Sequence, residues 1–228
     1  MSAAKPFISP AFLLLAGGQS RRMGGGDKNL MMLGGQSVLA HVLARVRAQI
    51  DDDAPMLLNA NGDPSRYADF GLPVEADVVA GHAGPLAGIL TGLEWLQAHH
   101  PDRTHMMSLA TDAPFLPPDL VARLMVPIND PARNDSKIVQ PTIVQPTIVQ
   151  ASSNGRRHPV FAIWPVSIAA SLRHALVADG TRKIDDFTAD YDCAVVPFEG
   201  DPDPFMNLNR PDDFTAAATY LQKTVSGP

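Results

Sequence analysis

The chain has 228 residues, of which 45% are hydrophobic and 18% are charged, a composition typical of a globular protein rather than a disordered one. This length fits one domain, or one domain with two lobes. The net charge of −6 argues against a general nucleic-acid binder, which needs a basic face. No apolar run is long enough to span a membrane. A single cysteine, Cys193, excludes an intramolecular disulfide, and we expect a cytoplasmic protein.

A glycine-rich loop with several cations follows the first apolar segment. Residues 11–16 are apolar and predict a buried strand. Gly17 and Gly18 come next, and Arg22 and Lys28 flank a second glycine cluster. Glycines let the backbone approach a ligand with its N–H groups pointing inward, and cations neutralise a polyphosphate. The stretch therefore predicts a phosphate-binding loop rather than a flexible linker.

This loop matches neither of the two common nucleotide-binding motifs. A Walker A loop has Ser or Thr directly after its lysine, where this chain has Asn29. The dinucleotide motif has glycines at a spacing that Gln19 and Ser20 interrupt. The loop thus predicts a phosphate-binding protein outside both classes.

Helical and strand patterns alternate along the first half of the chain. Apolar residues recur at helical spacing over 38–50 and again over 85–99, and strands are predicted at 56–59, 73–77 and 105–110. This alternation predicts an α/β fold with parallel strands. In such folds, ligands bind at the carboxyl ends of the strands.

Polar side chains end three of these predicted strands. Asn59, Asp77 and Asp112 are all expected at the carboxyl edge of the sheet. An aspartate at the end of a buried strand needs a cation, and nucleotide-bound Mg²⁺ takes one or two carboxylates, so Asp112 is the predicted metal ligand. The structural alternative is a cap for a helix beginning near Pro117, for which Asp119 is better placed.

The second half of the chain contains a short repeat, a predicted hairpin and further cations. The pentapeptide PTIVQ occurs twice in succession within 141–150, and its prolines keep the duplicated part out of a central strand. We expect the extra copy to form a loop or an edge extension. Asn154 and Gly155 predict a hairpin turn. Further strands are predicted at 159–164 and 193–198, and helices over 166–178, over 181–188 and up to about residue 222.

The sequence offers no activated nucleophile. Ser20 has no evident partner base, and Cys193 lies in a predicted apolar strand. A phosphate loop and a metal-binding carboxylate without a nucleophile favour direct transfer between two bound substrates. Positioning and charge neutralisation would then supply the catalysis.

The phosphate loop resembles, almost residue for residue, the N-terminal signature of the molybdenum cofactor guanylyltransferase family. That pattern, L-A-G-G-x-S-x-R-M-G followed by D-K, matches Leu15 to Gly24 and Asp27-Lys28. The resemblance continues in the segments NAN, GPLAG, TDAP, HP and NLN at 59–61, 84–88, 111–114, 158–159 and 207–209. It implies one nucleotidyltransferase domain over 1–228, with a nucleotide-binding half at about 8–116 and an acceptor-binding half at 117–228. The implied fold is α/β, three-layer and Rossmann-like, with a mostly parallel sheet and a small antiparallel hairpin on the acceptor side.

The resemblance also implies a reaction. GMP would pass from GTP to the terminal phosphate of molybdopterin, with release of pyrophosphate and with Mg²⁺ as cofactor. The implied nucleotide-binding residues are Leu15, Ala16, Gly17, Gly18, Lys28, Asn59, Asp77 and Asp112. The implied catalytic residues are Arg22, Lys28 and Asp112, and Asp112 also holds the metal. Arg156, Arg157, His158, Arg182 and Lys183 are candidates for the anionic acceptor, with Asn207 and Asn209 at the floor of the site.

Three other functions remain open from the sequence. A sister enzyme of the same pathway would use CTP, although that branch of the family tends to have LAAG where this chain has residues 15–18 as LAGG. Another nucleotidyltransferase would activate a different small phosphate. A non-catalytic carrier would bind nucleotide or cofactor for molybdoenzymes. Transient contact with molybdoenzymes or their chaperones is expected, whereas nucleic acid and membrane are not.

Overall fold

The computed structural model describes residues 9–17, 27–81, 84–130 and 147–225. The strands are β1 (Ala11–Leu15), β2 (Met32–Leu33), β3 (Gln36–Ser37), β4 (Met56–Asn59), β5 (Val74–Glu75), β6 (His105–Ala110), β7 (Ile148–Ser153), β8 (Arg156–Pro165) and β9 (Cys193–Phe198). The α-helices are α1 (Val38–Arg47), α2 (Pro85–His99), α3 (Leu120–Asn129), α4 (Ala169–Val177), α5 (Ile184–Thr188) and α6 (Pro211–Val225). Short 3₁₀ helices occupy Lys28–Leu30, Pro64–Phe70 and Val166–Ile168.

Seven strands form one sheet in the order β5-β4-β1-β6-β8-β7-β9. All neighbouring pairs in it are parallel except the two that involve β8, which runs antiparallel to both β6 and β7. The strands β2 and β3 form a separate antiparallel ribbon. The predicted α/β fold with a mostly parallel sheet is therefore confirmed, and the hairpin β7–β8 belongs to the main sheet.

Parallel register brings several strand ends to one edge of the sheet. Leu15 is the register partner of Asn59 on β4 and of Ala110 on β6, and Asn59 in turn pairs with Glu75 on β5. The predicted third strand is shorter than expected, so that Asp77 lies two residues beyond its end. Residues that follow β1, β4, β5 and β6 consequently converge at this carboxyl edge.

Alternating residues of β1 divide the core between the two faces of the sheet. Phe12 and Leu14 pack in a cluster that includes side chains of α1 and α3, whereas Ala11 and Leu13 pack with side chains of α2, α4 and α5. The helices therefore form layers on both faces, as the three-layer expectation required. Within the described ranges, no helix combines the length and the apolar character needed to cross a membrane.

The hairpin turn forms where the sequence predicted it. Asn154 and Gly155 both have positive φ, 48° and 72°, as a two-residue hairpin of the Asn-Gly type requires. The last copy of the repeat supplies Ile148, Val149 and Gln150 to β7, which lies between β8 and the edge strand β9. Residues 131–146, which include the first copy of the repeat, lie outside the described residues.

Gln150 is a buried amide without a hydrogen-bond partner among the described residues. Its side chain is fully buried, and neither its Nε2 nor its Oε1 atom lies within bonding distance of a described group. Ser108, by contrast, is equally buried but donates to the Val160 carbonyl and accepts from Trp164 Nε1 at 2.8 Å. An unsatisfied buried polar group costs about 1–3 kcal/mol, so Gln150 is a local weakness of the fold.

Replacing Gln150 by an apolar residue is therefore expected to stabilise the protein. In chemical denaturation, Gln150→Leu should raise the free energy of unfolding by about 1 kcal/mol, because the desolvation penalty disappears. The matched control is Ser108→Ala, which should lower it by a similar amount because two bonds are lost. If Gln150→Leu destabilised as much as the control, the amide would have a partner, such as a buried water.

Candidate active site

The first strand and its neighbour hold the start of the predicted nucleotide site. The Ala16 N–H donates to the Asn59 carbonyl at 2.9 Å, which continues the β1–β4 pairing beyond the strand. Leu15 and Ala16 are partly buried, and Gly17 is exposed. On α2, a Cβ atom at Gly88 would clash with both the Asn59 amide and the Leu15 side chain. Gly88, the last residue of GPLAG, thus lets α2 approach the strand ends closely.

Two asparagines and an aspartate form a hydrogen-bonded group beyond β4. Asn59 Nδ2 donates to Asp77 Oδ1 at 3.0 Å and to the Glu75 carbonyl at 3.1 Å. Asn61 Nδ2 donates to Asp77 Oδ2 at 2.9 Å, and its Oδ1 accepts from the Asp77 N–H at 3.0 Å. Both carboxylate oxygens of Asp77 are therefore oriented by amides. The sequence predicts Asn59 and Asp77 at this edge. It does not single out Asn61, for which the N-x-N spacing is the available signal.

Lys28, at the end of the predicted phosphate loop, and Asp112, which follows β6, both bond to the segment 207–209. Lys28 Nζ donates to Asn209 Oδ1 at 2.6 Å, and the Asp112 carbonyl accepts from the Leu208 N–H. Burial raises the pKa of Asp112, and the positive charge of Lys28 partly offsets that increase. Arg22 and Gly18 lie outside the described residues.

The segment before α6 forms the floor beside Asp112. The Leu208 N–H donates to the Asp112 carbonyl at 2.9 Å, while Leu208 itself is buried. Asp213 accepts from the N–H groups of Asn209 and Arg210, each at 2.8 Å, and so anchors this segment to the start of α6. Asn207 and Asn209 are exposed on either side of the buried Leu208.

The cations of the β7–β8 hairpin lie on opposite faces of the sheet. Arg156 is the register partner of Ser153, and burial, with the charge of Arg156 as a smaller cause, lowers the pKa of the neighbouring His158. Arg157, the next residue, lies on the other face, where it lines the same cavity as Cys193. Both arginines are exposed. The three predicted residues therefore do not form one cluster: Arg156 and His158 share a face, and Arg157 is separate.

His158 is tied to the floor segment through Ser153 and Asp203. The Ser153 hydroxyl donates to Asp203 Oδ1 at 2.7 Å, so it accepts from His158 Nε2, also at 2.7 Å. Burial lowers the pKa of His158, and the negative charge of Asp203 partly offsets that decrease. The His158 ring also packs on Phe205, with 4.8 Å between ring centroids. These contacts attach the hairpin to the chain segment that leads to Leu208.

Arg182 and Lys183 lie in the loop before α5. The Arg182 guanidinium donates to the carbonyls of Leu176 and Thr181, at 3.2 and 2.9 Å, and so fixes its own loop. Lys183 is exposed at the residue preceding α5. A Cβ atom at Gly84 would lie 3.5 Å from the Arg182 carbonyl, so this loop approaches the start of α2.

The residues that support the predicted phosphate loop carry no recognisable signal in the sequence. Arg66 forms an ion pair with Asp27, which precedes Lys28, and donates to the Asn61 carbonyl at 2.8 Å. Asn29 contacts Tyr67 and Thr111 in the interior. No local pattern signals these contacts, because Asp27 and Arg66 are 39 residues apart in the chain.

The donor set at Asp112 fits a metal that arrives with a nucleotide. Asp112 offers carboxylate oxygen, the ligand type that Mg²⁺ prefers. Over 9–17, 27–81, 84–130 and 147–225, no three His, Cys, Asp or Glu side chains are grouped so as to hold a metal ion. Mg²⁺ commonly takes one or two carboxylates and fills its remaining positions with phosphate oxygens and water. Asp112 therefore suits such a shared ion rather than a permanently bound one.

The chain matches a known family over most of its length. A model of the MobA-like NTP transferase domain covers residues 12–194. Among curated proteins, the chain is similar to a molybdenum cofactor guanylyltransferase of Rhodopseudomonas palustris strain BisB5. The two are 50% identical over 206 residues, which span 90% of each chain.

Solved structures share the fold. The chain aligns with molybdopterin-guanine dinucleotide biosynthesis protein A from Archaeoglobus fulgidus at a TM-score of 0.66 and 20% identity, covering 93% of this chain and 98% of the other. It also aligns with Rv0371c of Mycobacterium tuberculosis in complex with manganese, at a TM-score of 0.61 and 17% identity, covering 92% and 98%. At these identities the likeness establishes the fold alone.

The raised pKa of Asp112 predicts that its negative charge destabilises the fold when no cation is bound. A carboxyl whose pKa is higher in the folded than in the unfolded state destabilises the fold once it is ionised. The neutral variant Asp112→Asn should therefore have a higher Tm than the parent at neutral pH in metal-free buffer. Below about pH 4, where the parent carboxyl is protonated as well, the two Tm values should converge. Thermal unfolding at both pH values measures this.

The control for this comparison is Asp52→Asn, at an exposed aspartate in the turn after α1. That variant should leave the Tm difference between the two pH values almost unchanged. A lower Tm for Asp112→Asn at neutral pH would contradict the account, because Asp112 would then contribute favourable interactions to the fold in its ionised form.

Proposed function

Since the chain belongs to the family of MobA-like NTP transferase domains, we propose that it transfers GMP from GTP to the terminal phosphate of molybdopterin. The observation that supports this most directly is that Lys28, through Asn209, and Asp112, through Leu208, both bond to the segment 207–209, at the sheet edge that also presents Asn59 and Asp77. This edge suits a nucleoside triphosphate, because it has the cation of Lys28 and the carboxylate of Asp112 at one end. At its other end, amide groups orient the carboxylate of Asp77. The phosphates would lie at the first pair, and the base and ribose at the second.

The reaction is a direct displacement. An oxygen of the acceptor phosphate attacks the α-phosphorus of GTP, and a new P–O bond forms. The bond from that phosphorus to the oxygen bridging to the β-phosphate breaks, and its electron pair leaves with pyrophosphate. An ionised acceptor needs no general base, which agrees with the lack of an activated nucleophile in the sequence.

Lys28, Arg22 and Asp112 have complementary roles in this reaction. The Lys28 ammonium, with Arg22, neutralises charge on the triphosphate as pyrophosphate departs. Asp112 contributes its carboxylate to Mg²⁺, and the bound ion would supply electrostatic stabilisation of the phosphate oxygens. Asn209 holds Lys28 at 2.6 Å before substrate arrives, so the ammonium is already directed toward the floor of the site. The backbone of Leu15, Ala16, Gly17 and Gly18 completes the nucleotide side.

We assign the acceptor to the half formed by 117–228 and the nucleotide to 8–116. Arg156 is the best-supported acceptor cation, because it lies on the face where His158, Ser153 and Asp203 connect the hairpin to the floor at Leu208. Asn207 and Asn209 extend that floor toward the nucleotide. Arg157, Lys183 and Arg182 are secondary candidates, since Arg157 lies on the other face and the Arg182 guanidinium is used by its own loop.

We also propose a cytoplasmic protein that acts on small molecules. The single Cys193 suits a reducing compartment. The product must reach the enzymes that use it, so transient contact with molybdoenzymes or their chaperones is part of the proposal. The net charge of −6 does not favour nucleic acid as a partner, and we propose no membrane contact.

The test of the proposal is pyrophosphate release from each of the four NTPs in the presence of Mg²⁺, with and without molybdopterin. Release from GTP alone, and only with acceptor, is the expected result. Asp112→Ala should lower the rate by about 100-fold or more, because the carboxylate for the metal is lost. Release from CTP instead would identify a cytidylyltransferase. GTP binding without any release would favour a carrier.

The two neighbouring arginines provide a matched test of the acceptor side. Arg156→Ala should raise the KM for molybdopterin by about tenfold while the KM for GTP stays nearly constant, since one phosphate contact is worth about 1–2 kcal/mol. Arg157→Ala removes the same charge from the opposite face and should change either KM by less than about threefold. Equal effects of the two substitutions would show that net charge, rather than a specific contact, attracts the acceptor.

A further inference from the structure

Asn29 is a buried polar residue directly after Lys28. Its side chain is 4% exposed, in the 3₁₀ helix Lys28–Leu30. Its amide nitrogen donates to the Tyr67 hydroxyl at 3.4 Å and to Thr111 Oγ1 at 3.3 Å. An amide nitrogen has two hydrogens, so these two bonds use both. Asn29 therefore connects the end of the phosphate loop to two separate parts of the chain.

Thr111 continues this connection to the first strand. Its hydroxyl donates to the Leu15 carbonyl at 3.0 Å, and the residue is 3% exposed. Since a hydroxyl has one hydrogen, Thr111 accepts from Asn29 and donates to Leu15. The result is a directed chain of hydrogen bonds from Asn29 through Thr111 to Leu15.

Each member of this chain adjoins a residue of the proposed reaction. Asn29 follows Lys28, Thr111 precedes Asp112, and Leu15 begins the nucleotide-binding loop. Three segments that are distant in sequence are thus fixed to one another one residue away from the groups that would contact the triphosphate. Buried hydrogen bonds hold such geometry well, because no water competes for them.

The other side of the loop end is fixed as well. Arg66 pairs with Asp27, and Tyr67 accepts from Asn29, so the 3₁₀ helix Pro64–Phe70 supports the residues on both sides of Lys28. The backbone of Lys28 lies between that helix and the end of β6. A long flexible lysine side chain places its ammonium reproducibly only if its backbone is fixed in this way.

We propose that Asn29, acting through Thr111, is a positioning residue that sets the placement of Lys28 relative to Asp112 and its metal. This inference rests on the proposed function, in which these two groups flank the triphosphate. A displacement of about 1 Å at such a site can cost about 100-fold in rate, so the Asn29–Thr111 bond has a kinetic effect beyond its contribution to stability.

The test uses two substitutions at Thr111 and one control on β6. Thr111→Val keeps the side-chain shape but removes the hydroxyl, and Thr111→Ser restores it. Ser108→Ala removes another buried hydroxyl that lies outside this chain of hydrogen bonds. Thr111→Val should lower kcat for guanylyl transfer by about 10- to 100-fold, Thr111→Ser should recover to within about threefold of the parent, and Ser108→Ala should stay within about threefold.

A binding measurement separates positioning from general loosening of the fold. The Kd for GTP is measured by calorimetry with Mg²⁺ and with EDTA, in the absence of acceptor. Thr111→Val should lose most of the affinity that Mg²⁺ adds and keep the metal-free Kd within about threefold, since Asn59 and Asp77 are untouched. A merely structural role would weaken both values together.

Three outcomes would overturn the inference. In the first, Thr111→Val retains the parent kcat with only a lower Tm. In the second, Ser108→Ala loses as much kcat as Thr111→Val, and in the third, the affinity for GTP that Mg²⁺ adds is unchanged in Thr111→Val. Each would reduce Asn29 to a packing role while the parent enzyme still transfers GMP. Absence of transfer by the parent protein would instead overturn the proposed function itself.

Discussion

The parallel pairing of β1 with β4 and β6 is the constraint on which the rest of the site depends. Because Leu15, Asn59 and Ala110 are register partners, the residues that follow them must emerge at the same edge. A shift of one residue would direct these side chains to the opposite face. The apolar alternation of Phe12 and Leu13 into separate core clusters fixes that register, so core packing also determines the geometry of the site.

Hydrogen bonds to strand ends then extend this order into loops. Thr111 connects β6 to β1, Asn59 and Asn61 orient Asp77, and Leu208 bonds to the backbone of Asp112. The polar groups that would bind substrate are thus attached to the rigid sheet at short range. Burial at the same time raises the pKa of Asp112, an electrostatic strain that binding of a cation would relieve. Under the proposed function, stability and metal binding are therefore coupled at Asp112.

Much of this architecture was predictable, and the exceptions have physical causes. Periodicity located β1, β6 and α2 because their apolar patterns are local, and the strand ends placed Asn59 and Asp112 at one edge. Arg66 and Tyr67 were not predictable as supports of the phosphate loop, since their partners are distant in sequence. Register also decides that Arg156 and Arg157 point to opposite faces, whereas the sequence grouped them.

We propose that this edge of the sheet transfers the guanylyl group of GTP to an acceptor phosphate. GTP labelled separately at the α- and γ-phosphorus and incubated with molybdopterin and Mg²⁺ tests this step. The α-label should appear in the dinucleotide product and the γ-label in pyrophosphate, and both products should be lost in Asp112→Ala. Release of the γ-label as inorganic phosphate, or an α-label that stays entirely in free nucleotide, would show that no guanylyl transfer occurs.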